Sequence, residues 1–153
     1  MPYSGWARFK EMICAAFSVL RDAPFVTLIE RHSLKYVDFM HSSDKSLTRF
    51  NVDIQVAGQA VSSQATQLRT ERTEAPFLHA ISLLSDAMVR KPDESIMRGS
   101  VVEVDTHRIE SLAIADFLDN LDTLLDQLHD SNKSLFFSLL SKEGLDELEP
   151  VYD

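Results

Sequence analysis

The feature that most constrains the fold is a strongly amphipathic stretch, Leu112–Leu128, in the C-terminal third of the chain. Its apolar residues recur at spacings of three and four, which places them on one face of an α-helix. The other face carries Asp116, Asp119, Asp122 and Asp126. A helix with such opposite faces needs an apolar surface to lie on. The sequence therefore predicts a helix over 112–128 packed against another layer of structure.

The segments before this stretch are able to supply that layer as strands. Residues 6–21 keep a helical period and predict an N-terminal helix, but from Phe25 to Met40 β-branched and aromatic residues on both faces indicate a long strand. Further strand patterns follow at 51–61, at the charged and edge-like 65–74, and at 100–108. Phe77–Val89 fits either strand or helix, and we interpret it as a strand because its neighbours are strands.

These segments together predict a single α+β domain over residues 1–153. We expect an N-terminal helix, an antiparallel sheet of about five strands, and C-terminal helices packed on one face of the sheet. The helix 112–128 would be followed by shorter helices at 131–140 and 142–148. The expected core consists of Trp6, Phe9, Phe17, Leu34, Tyr36, Val102, Val104, Phe117, Leu121, Leu125 and Phe136.

Charge and composition exclude some classes of partner. The net charge is −9, and residues 103–153 hold 13 acidic residues against 3 basic ones. Because this acidic third repels phosphate backbones, we expect no nucleic-acid partner. No run approaches the roughly 18 apolar residues of a membrane span, so we expect no membrane partner. Cys14 is the only cysteine, which excludes an intrachain disulfide and fits a cytoplasmic location.

Several passages, in their order along the chain, resemble a prokaryotic protein family. HSLKYVDF, His32–Phe39, is similar to the strand motif of that family, with Lys35 in place of Arg and Asp38 in place of Asn. LHDSNKSLFFSLLSKE, Leu128–Glu143, is similar to its C-terminal signature. Shorter likenesses occur at Val101–Thr106 and Tyr3–Phe9.

This family is sporadically distributed, uncharacterised and without an assigned activity, so the resemblance implies a fold and an order of elements but no mechanism. Its typical members are longer, and the chain resembles only their C-terminal half. An expressed domain, a truncated gene product and a genuinely short member all fit this difference.

Glu103, Asp105 and His107 form the sharpest candidate for a metal site. At a period of two they share one face of a strand, with about 6–7 Å between successive side chains. Two carboxylates and an imidazole can hold a divalent metal or carry acid–base chemistry. We favour the alternative, a solvated polar side of a half-buried strand, because simple alternation produces the same row.

Lys35, Tyr36 and His129 are the other candidates for binding. Lys35 and Tyr36 can present a polar handle in a cleft, although we favour packing for Tyr36 and an ion pair for Lys35. His129 ends the predicted helix 112–128, where a cation is favourable, so capping or packing explains it without chemistry.

The sequence shows no nucleophile or nucleotide motif of the types G-x-S-x-G, G-x-G-x-x-G or G-K-[ST], and we expect no cofactor. The leading hypothesis is a non-enzymatic module that interacts with an unknown protein or associates with itself. A homodimer could replace the missing half of the longer relatives. The alternative is a small-molecule or metal-binding protein that uses a cleft between sheet and helix. A hydrolase, third in order, would require isolated histidines and acids to converge.

Overall fold

The chain folds as one helix, a meander of long strands and a closing set of helices. The computed structural model describes residues 5–23, 25–42, 46–61 and 63–148. The helices are α1 (Trp6–Ser18, continued by a 3-10 turn at Val19–Asp22), α2 (Ile114–Asp119), α3 (Leu121–Leu139) and α4 (Lys142–Glu147). The strands are β1 (Leu28–His41), β2 (Gln55–Val56), β3 (Gln59–Ala60), β4 (Gln67–Glu74), β5 (Phe77–Arg90) and β6 (Ile96–Ala113).

Four of the strands form one antiparallel sheet in the order β1-β6-β5-β4. The predicted α+β class and the N- and C-terminal helices are thus confirmed. The predicted strand 51–61 does not join this sheet, because β2 and β3 pair only with each other. Ala57 and Gly58, at φ 51° and 76°, close this hairpin with the two positive φ values that a tight two-residue turn requires.

The predicted helix 112–128 is wrong at its start and in its continuity. Leu112 still belongs to β6, where it pairs with Ile29 of β1. The helical path breaks at Asn120, whose side-chain amide donates to the carbonyl oxygen of Asp116 at 2.8 Å. Beyond this break α3 runs without interruption to Leu139, so it also absorbs the predicted separate helix 131–140.

Alternation along the strands places one face of the sheet under α3. Val102, Val104 and Thr106 of β6 are buried there, and their neighbours Glu103, Asp105 and His107 lie on the other face, as the period of two predicts. Every second residue of β5 from 79 to 87 is also buried, which confirms the strand interpretation of Phe77–Val89. β4 forms an edge of the sheet, as its charge predicted.

Part of the predicted core is only half-buried. Leu34, Val102, Val104, Phe117, Leu121 and Leu125 are buried. The five aromatic residues that remain partly accessible are Trp6, Phe9, Phe17, Tyr36 and Phe136. The reason lies in α1, which contributes no buried residue and leaves spaces beneath it.

The aspartate face of the C-terminal helices holds α1 in place. Lys10 Nζ lies 2.9 Å from carboxylate oxygens of both Asp122 and Asp126, and the 3-10 turn adds a 3.1 Å pair between Arg21 and Asp119. Apolar residues of α1, among them Ile13 and Phe17, also pack against the buried cluster around Phe117 and Leu121.

Within the described residues, no helix is long and apolar enough to span a membrane.

Candidate functional site

Two spaces lie end to end between β1 and the helices. The outer groove measures about 580 Å³, and its main walls are Trp6, Tyr36, Asp38, His129, Lys133, Phe136 and Phe137. The inner cavity measures about 450 Å³, and its main walls are Phe9, Ile13, Phe17, His32, Phe117, Leu121 and Leu125. All five half-buried aromatic residues of the predicted core therefore line one space or the other.

His129 organises the base of the outer groove. Its Nδ1 lies 3.0 Å from Tyr36 Oη, and its ring stacks on the indole of Trp6 with centroids 4.1 Å apart and planes at 6°. The indole Nε1 in turn donates to Asp126 at 2.8 Å. Because α3 continues for ten residues past His129, the predicted role of this residue at a helix C-terminus is wrong. Tyr36 and His129 do come together, as parts of an aromatic stack.

Asp38 supplies a carboxylate to the same groove. It forms no hydrogen bond or ion pair within the part of the chain that the structure describes. Although much of the residue is accessible, the groove partly desolvates its carboxyl group, and this raises the pKa of Asp38 above its usual value. Lys133 lies at the exposed rim without forming an ion pair with Asp38. The groove thus offers an unneutralised carboxylate among aromatic rings.

The other predicted site residues lie on the opposite face of the sheet. Lys35 points away from Tyr36, and its Nζ is 2.8 Å from Glu103 Oε1. His107 Nε2 lies 3.3 Å from Asp105 Oδ2. The predicted metal ligands therefore share a face but divide between two pairs. Across residues 5–23, 25–42, 46–61 and 63–148, no three His, Cys, Asp or Glu side chains form a group that could hold a metal ion.

A buried polar network under α3 was missed from sequence. His79 Nδ1 lies 3.0 Å from Thr106 Oγ1, which also accepts an N–H from Asn132 Nδ2 at 3.0 Å. His79 and Asn132 are both at most 1% exposed. The strand period places His79 on the buried face of β5, and the helix period places Asn132 on the buried face of α3. A polar residue at a buried position was the only sign of this network in the sequence.

This network resembles a hydrolase dyad only at first inspection. Ser131 Oγ lies 3.5 Å from His79 Nε2, beyond good hydrogen-bonding distance. His79 is buried beneath α3, and its contact with Thr106 links it to Asn132. A serine nucleophile requires a closer contact, in which a histidine nitrogen accepts the hydroxyl proton. The contacts of His79 are those of a buried network that joins α3 to the sheet.

Burial has a common effect on three histidines and predicts a pH dependence. Desolvation lowers the pKa of His32, His79 and His129 below the usual 6.5. The folded protein keeps these rings neutral, so below pH 6.5 the unfolded chain binds more protons. The free energy of unfolding is therefore expected to be constant above about pH 6.5 and to decrease from there toward pH 5.5. The decrease can reach about 1.4 kcal/mol per pH unit for each histidine.

Urea unfolding at steps between about pH 7.5 and about pH 5.5 measures this slope. The window stays above the acid range in which carboxylates titrate. A His129→Gln variant is expected to show a shallower slope, because one of the three rings is gone. Equal slopes in the variant and the parent protein would contradict a contribution from His129.

Comparison with known proteins gave no match: no family model fits the chain, and no curated protein or solved structure is significantly similar to it. The resemblance to the prokaryotic family therefore stays a prediction.

Proposed function

We propose that the protein is a non-enzymatic binding module that takes a small organic cation in the outer groove. The observation that carries this proposal is the carboxylate of Asp38, unpaired among the described residues, beside the rings of Trp6, Tyr36, Phe136 and Phe137. The faces of aromatic rings attract ammonium groups, and a nearby carboxylate adds a full negative charge. A mostly apolar groove with a few polar groups is also the usual form of a ligand site.

The charges around the groove favour a cation over an anion. His129 is kept neutral near pH 7, because burial lowers its pKa. Lys133 is the one cation among the groove's main walls, and its exposed position leaves its charge well solvated. The net charge of the whole chain, −9, raises the local concentration of cations and opposes anions.

The test uses Trp6, the only tryptophan in the chain, as a fluorescent reporter inside the groove. Three matched probes are titrated: 2-phenylethylammonium, 2-phenylethanol and phenylacetate. The ammonium probe is expected to bind most tightly. Asp38→Asn is expected to weaken its binding about tenfold, equivalent to about 1.4 kcal/mol, while leaving the alcohol unaffected.

Asp130→Asn is the matched control, because it removes the same charge from exposed α3 without altering the main walls of the groove. It should change the affinity for the ammonium probe by less than about twofold. Preferential binding of phenylacetate, or equal losses in Asp38→Asn and Asp130→Asn, would contradict the proposal.

Self-association is a second candidate function, supported by the uncovered face of the sheet. This open face, opposite α3, carries Lys35, Val37, Arg69, Glu71, Leu84, Glu103, Asp105 and Ile109. Val37 and Ile109 are 59% and 70% exposed. Arg69 and Glu71 have no ion-pair partner among the described residues, so a second copy related by a two-fold axis could pair their opposite charges.

Light scattering behind size exclusion, over a dilution series, tests this homodimer. A mass near twice 17.3 kDa is expected for the parent chain. Val37→Lys should shift the mass toward the monomer, because it replaces an exposed apolar side chain of the open face with a charged one. Val56→Lys is the control, since Val56 is 60% exposed but lies in the β2–β3 hairpin. A monomer at every concentration would eliminate this candidate.

A cytoplasmic location forms part of the proposal. Cys14, the only cysteine, is unpaired, and the cytoplasm keeps thiols reduced. Burial raises the pKa of this thiol, which makes it less reactive.

A further inference from the structure

The outer groove runs along the outer side of β1. β1 is an end strand of the sheet and pairs with β6 on its inner side. The groove is lined by three consecutive residues of this strand: Tyr36, Val37 and Asp38. Successive side chains of a strand point to opposite faces, so a space that touches all three must pass along the edge of the strand. The groove therefore gives a ligand access to the backbone of β1 as well as to its side chains.

Contacts of Asn132 show which backbone groups of β1 face β6. Its Nδ2 donates to the carbonyl oxygen of Leu34 on β1, at 3.2 Å, and to that of Val104 on β6, at 2.9 Å. A single nitrogen reaches both oxygens only if both lie at the seam between the two strands. Just after β1, the N–H of Ser42 likewise donates to the carbonyl oxygen of Arg98, at 3.0 Å. Because backbone direction alternates along an antiparallel strand, the even-numbered residues from 34 to 42 bond to β6.

The odd-numbered residues of the same stretch direct their N–H and C=O groups to the outer edge. Those beside the groove are Lys35, Val37 and Phe39. Within the part of the chain that the structure describes, no backbone–backbone hydrogen bond is formed at this edge. Charged side chains commonly protect such an edge, but the ammonium group of Lys35 pairs with Glu103 on β6, 2.8 Å away. The edge is therefore open to a further strand.

We infer that the outer groove binds an extended peptide, which adds to β1 as a fifth, antiparallel strand and places a lysine or arginine side chain beside Asp38. This inference rests on the proposed function and assigns the cation to a peptide side chain. Backbone hydrogen bonds to the edge supply affinity, and the groove selects the side chain. Antiparallel addition continues the pattern of the sheet and is the more stable pairing per residue.

The positions of Asp38 and of the rings favour a basic side chain. A peptide residue opposite Asp38 shares its face of the sheet, with Cβ atoms about 5 Å apart. From that position a lysine or arginine side chain enters the groove, whose walls include the rings of Phe136 and Phe137. These rings attract a cation, and the net charge of −9 adds a general attraction for basic peptides.

A second copy of the chain is a less suitable occupant of this edge. The other residues of β1 that share the face of Asp38 are His32, Leu34, Tyr36 and Met40, which include no lysine or arginine. The β1 strand of a second copy would therefore bring neither cation to Asp38 and would add another carboxylate to the edge.

The probe is the peptide acetyl-Thr-Val-Lys-Val-Thr-amide, whose lysine faces the groove when its two valines lie opposite Val37 and Phe39. Trp6 fluorescence measures the affinity, and amide hydrogen exchange of the protein locates the contact. Bound peptide is expected to slow exchange at Val37 and Phe39 at least about tenfold, since both amides then donate to it.

N-Methylation of the peptide distinguishes strand addition from other modes of binding. In the expected register the valine N–H groups point toward β1, whereas the lysine N–H points away from it. Methylating both valine nitrogens should weaken binding at least about tenfold, and methylating the lysine nitrogen should weaken it less than about threefold. Equal losses from the two modified peptides would overturn the inference.

The charge of the lysine side chain is tested with a peptide that carries norleucine in its place. Norleucine should lower the affinity for the parent protein about tenfold, and Asp38→Asn should lower the affinity for the lysine peptide by the same factor. Asp130→Asn is again the matched control and should change that affinity less than about twofold. Equal binding of the lysine and norleucine peptides to the parent protein would contradict a role for the cation.

The proposed function and this inference can fail separately. If 2-phenylethylammonium binds through Asp38 but the peptide leaves exchange at Val37 and Phe39 unchanged, the groove takes only small cations and the inference is overturned. It is also overturned if exchange at these amides slows in the free protein as its concentration rises, because a second copy then occupies the edge. If neither the ammonium probe nor the lysine peptide loses affinity in Asp38→Asn, the proposed function fails as well.

Discussion

Replacing Asn132 with alanine is expected to lower the free energy of unfolding by about 2–4 kcal/mol. Asn132 lies in the middle of α3 and is 1% exposed. Its Nδ2 donates to the carbonyl oxygens of Leu34 and Val104, at 3.2 and 2.9 Å, and to Thr106 Oγ1 at 3.0 Å. One side chain thus joins the helix to two strands. Alanine would leave these acceptors buried without this donor and would open a cavity among them.

Urea unfolding monitored by circular dichroism measures this loss. Lys133→Ala is the matched control, because it changes the next residue of the same helix at an exposed position. It should alter the free energy of unfolding by no more than about 0.5 kcal/mol. If the two variants have similar stability, the network around Asn132 does not contribute to the fold.

Gly99→Ala is expected to destabilise the protein by a similar amount, about 2–4 kcal/mol, for a steric reason. Gly99 is buried in β6 opposite the end of β1. A Cβ atom at this position would collide with the carbonyl oxygen of Met40 and would approach Phe39 Cζ to 2.8 Å. The ring of Phe39 can turn away, but the backbone of Met40 is fixed by the sheet. The strands would have to separate locally.

Gly58→Ala provides the comparison, since a Cβ at that position meets nothing within 4 Å. Its φ of 76° still disfavours alanine, at a cost of about 1 kcal/mol. Thermal unfolding should therefore rank Gly99→Ala well below Gly58→Ala in stability. The reverse order would show that β6 can move away from β1 at little cost.

The outer groove and the inner cavity have a common structural origin. α1 is attached to α2 and α3 through Lys10, Arg21 and three aspartates along its rim. α1 also packs Trp6, Ile13 and Phe17 against the apolar cluster of α2 and α3. Since none of its residues is fully buried, its aromatic residues form walls of the two spaces instead of a closed core. Three residues of the aspartate row, Asp119, Asp122 and Asp126, form ion pairs with α1 and its 3-10 turn.

Local pattern in the sequence determined much of the fold. The alternation of Val102, Val104 and Thr106 with Glu103, Asp105 and His107 assigned both faces of β6 correctly, because a strand's period is a property of its backbone. The same reasoning identified α1, β4 and β5. The same reasoning placed the start of the helix too early, at Leu112, because an apolar residue fits the buried face of a strand as well as that of a helix.

Only the tertiary structure decided where the candidate sites lie. Tyr36 and His129 are 93 residues apart in sequence, and their contact depends on the register of β1 against β6 and on the position of α3 above both. Asp38 is a candidate binding residue because aromatic rings distant in sequence line the same groove, and its neighbours in the chain gave no sign of this. The repeat of a helix or strand determines on which face of the element a residue lies. The distance between the facing residues of two layers depends on how the layers pack. The sequence therefore determined the layers, and the packing of α1 against α2, α3 and β1 determined the spaces between them.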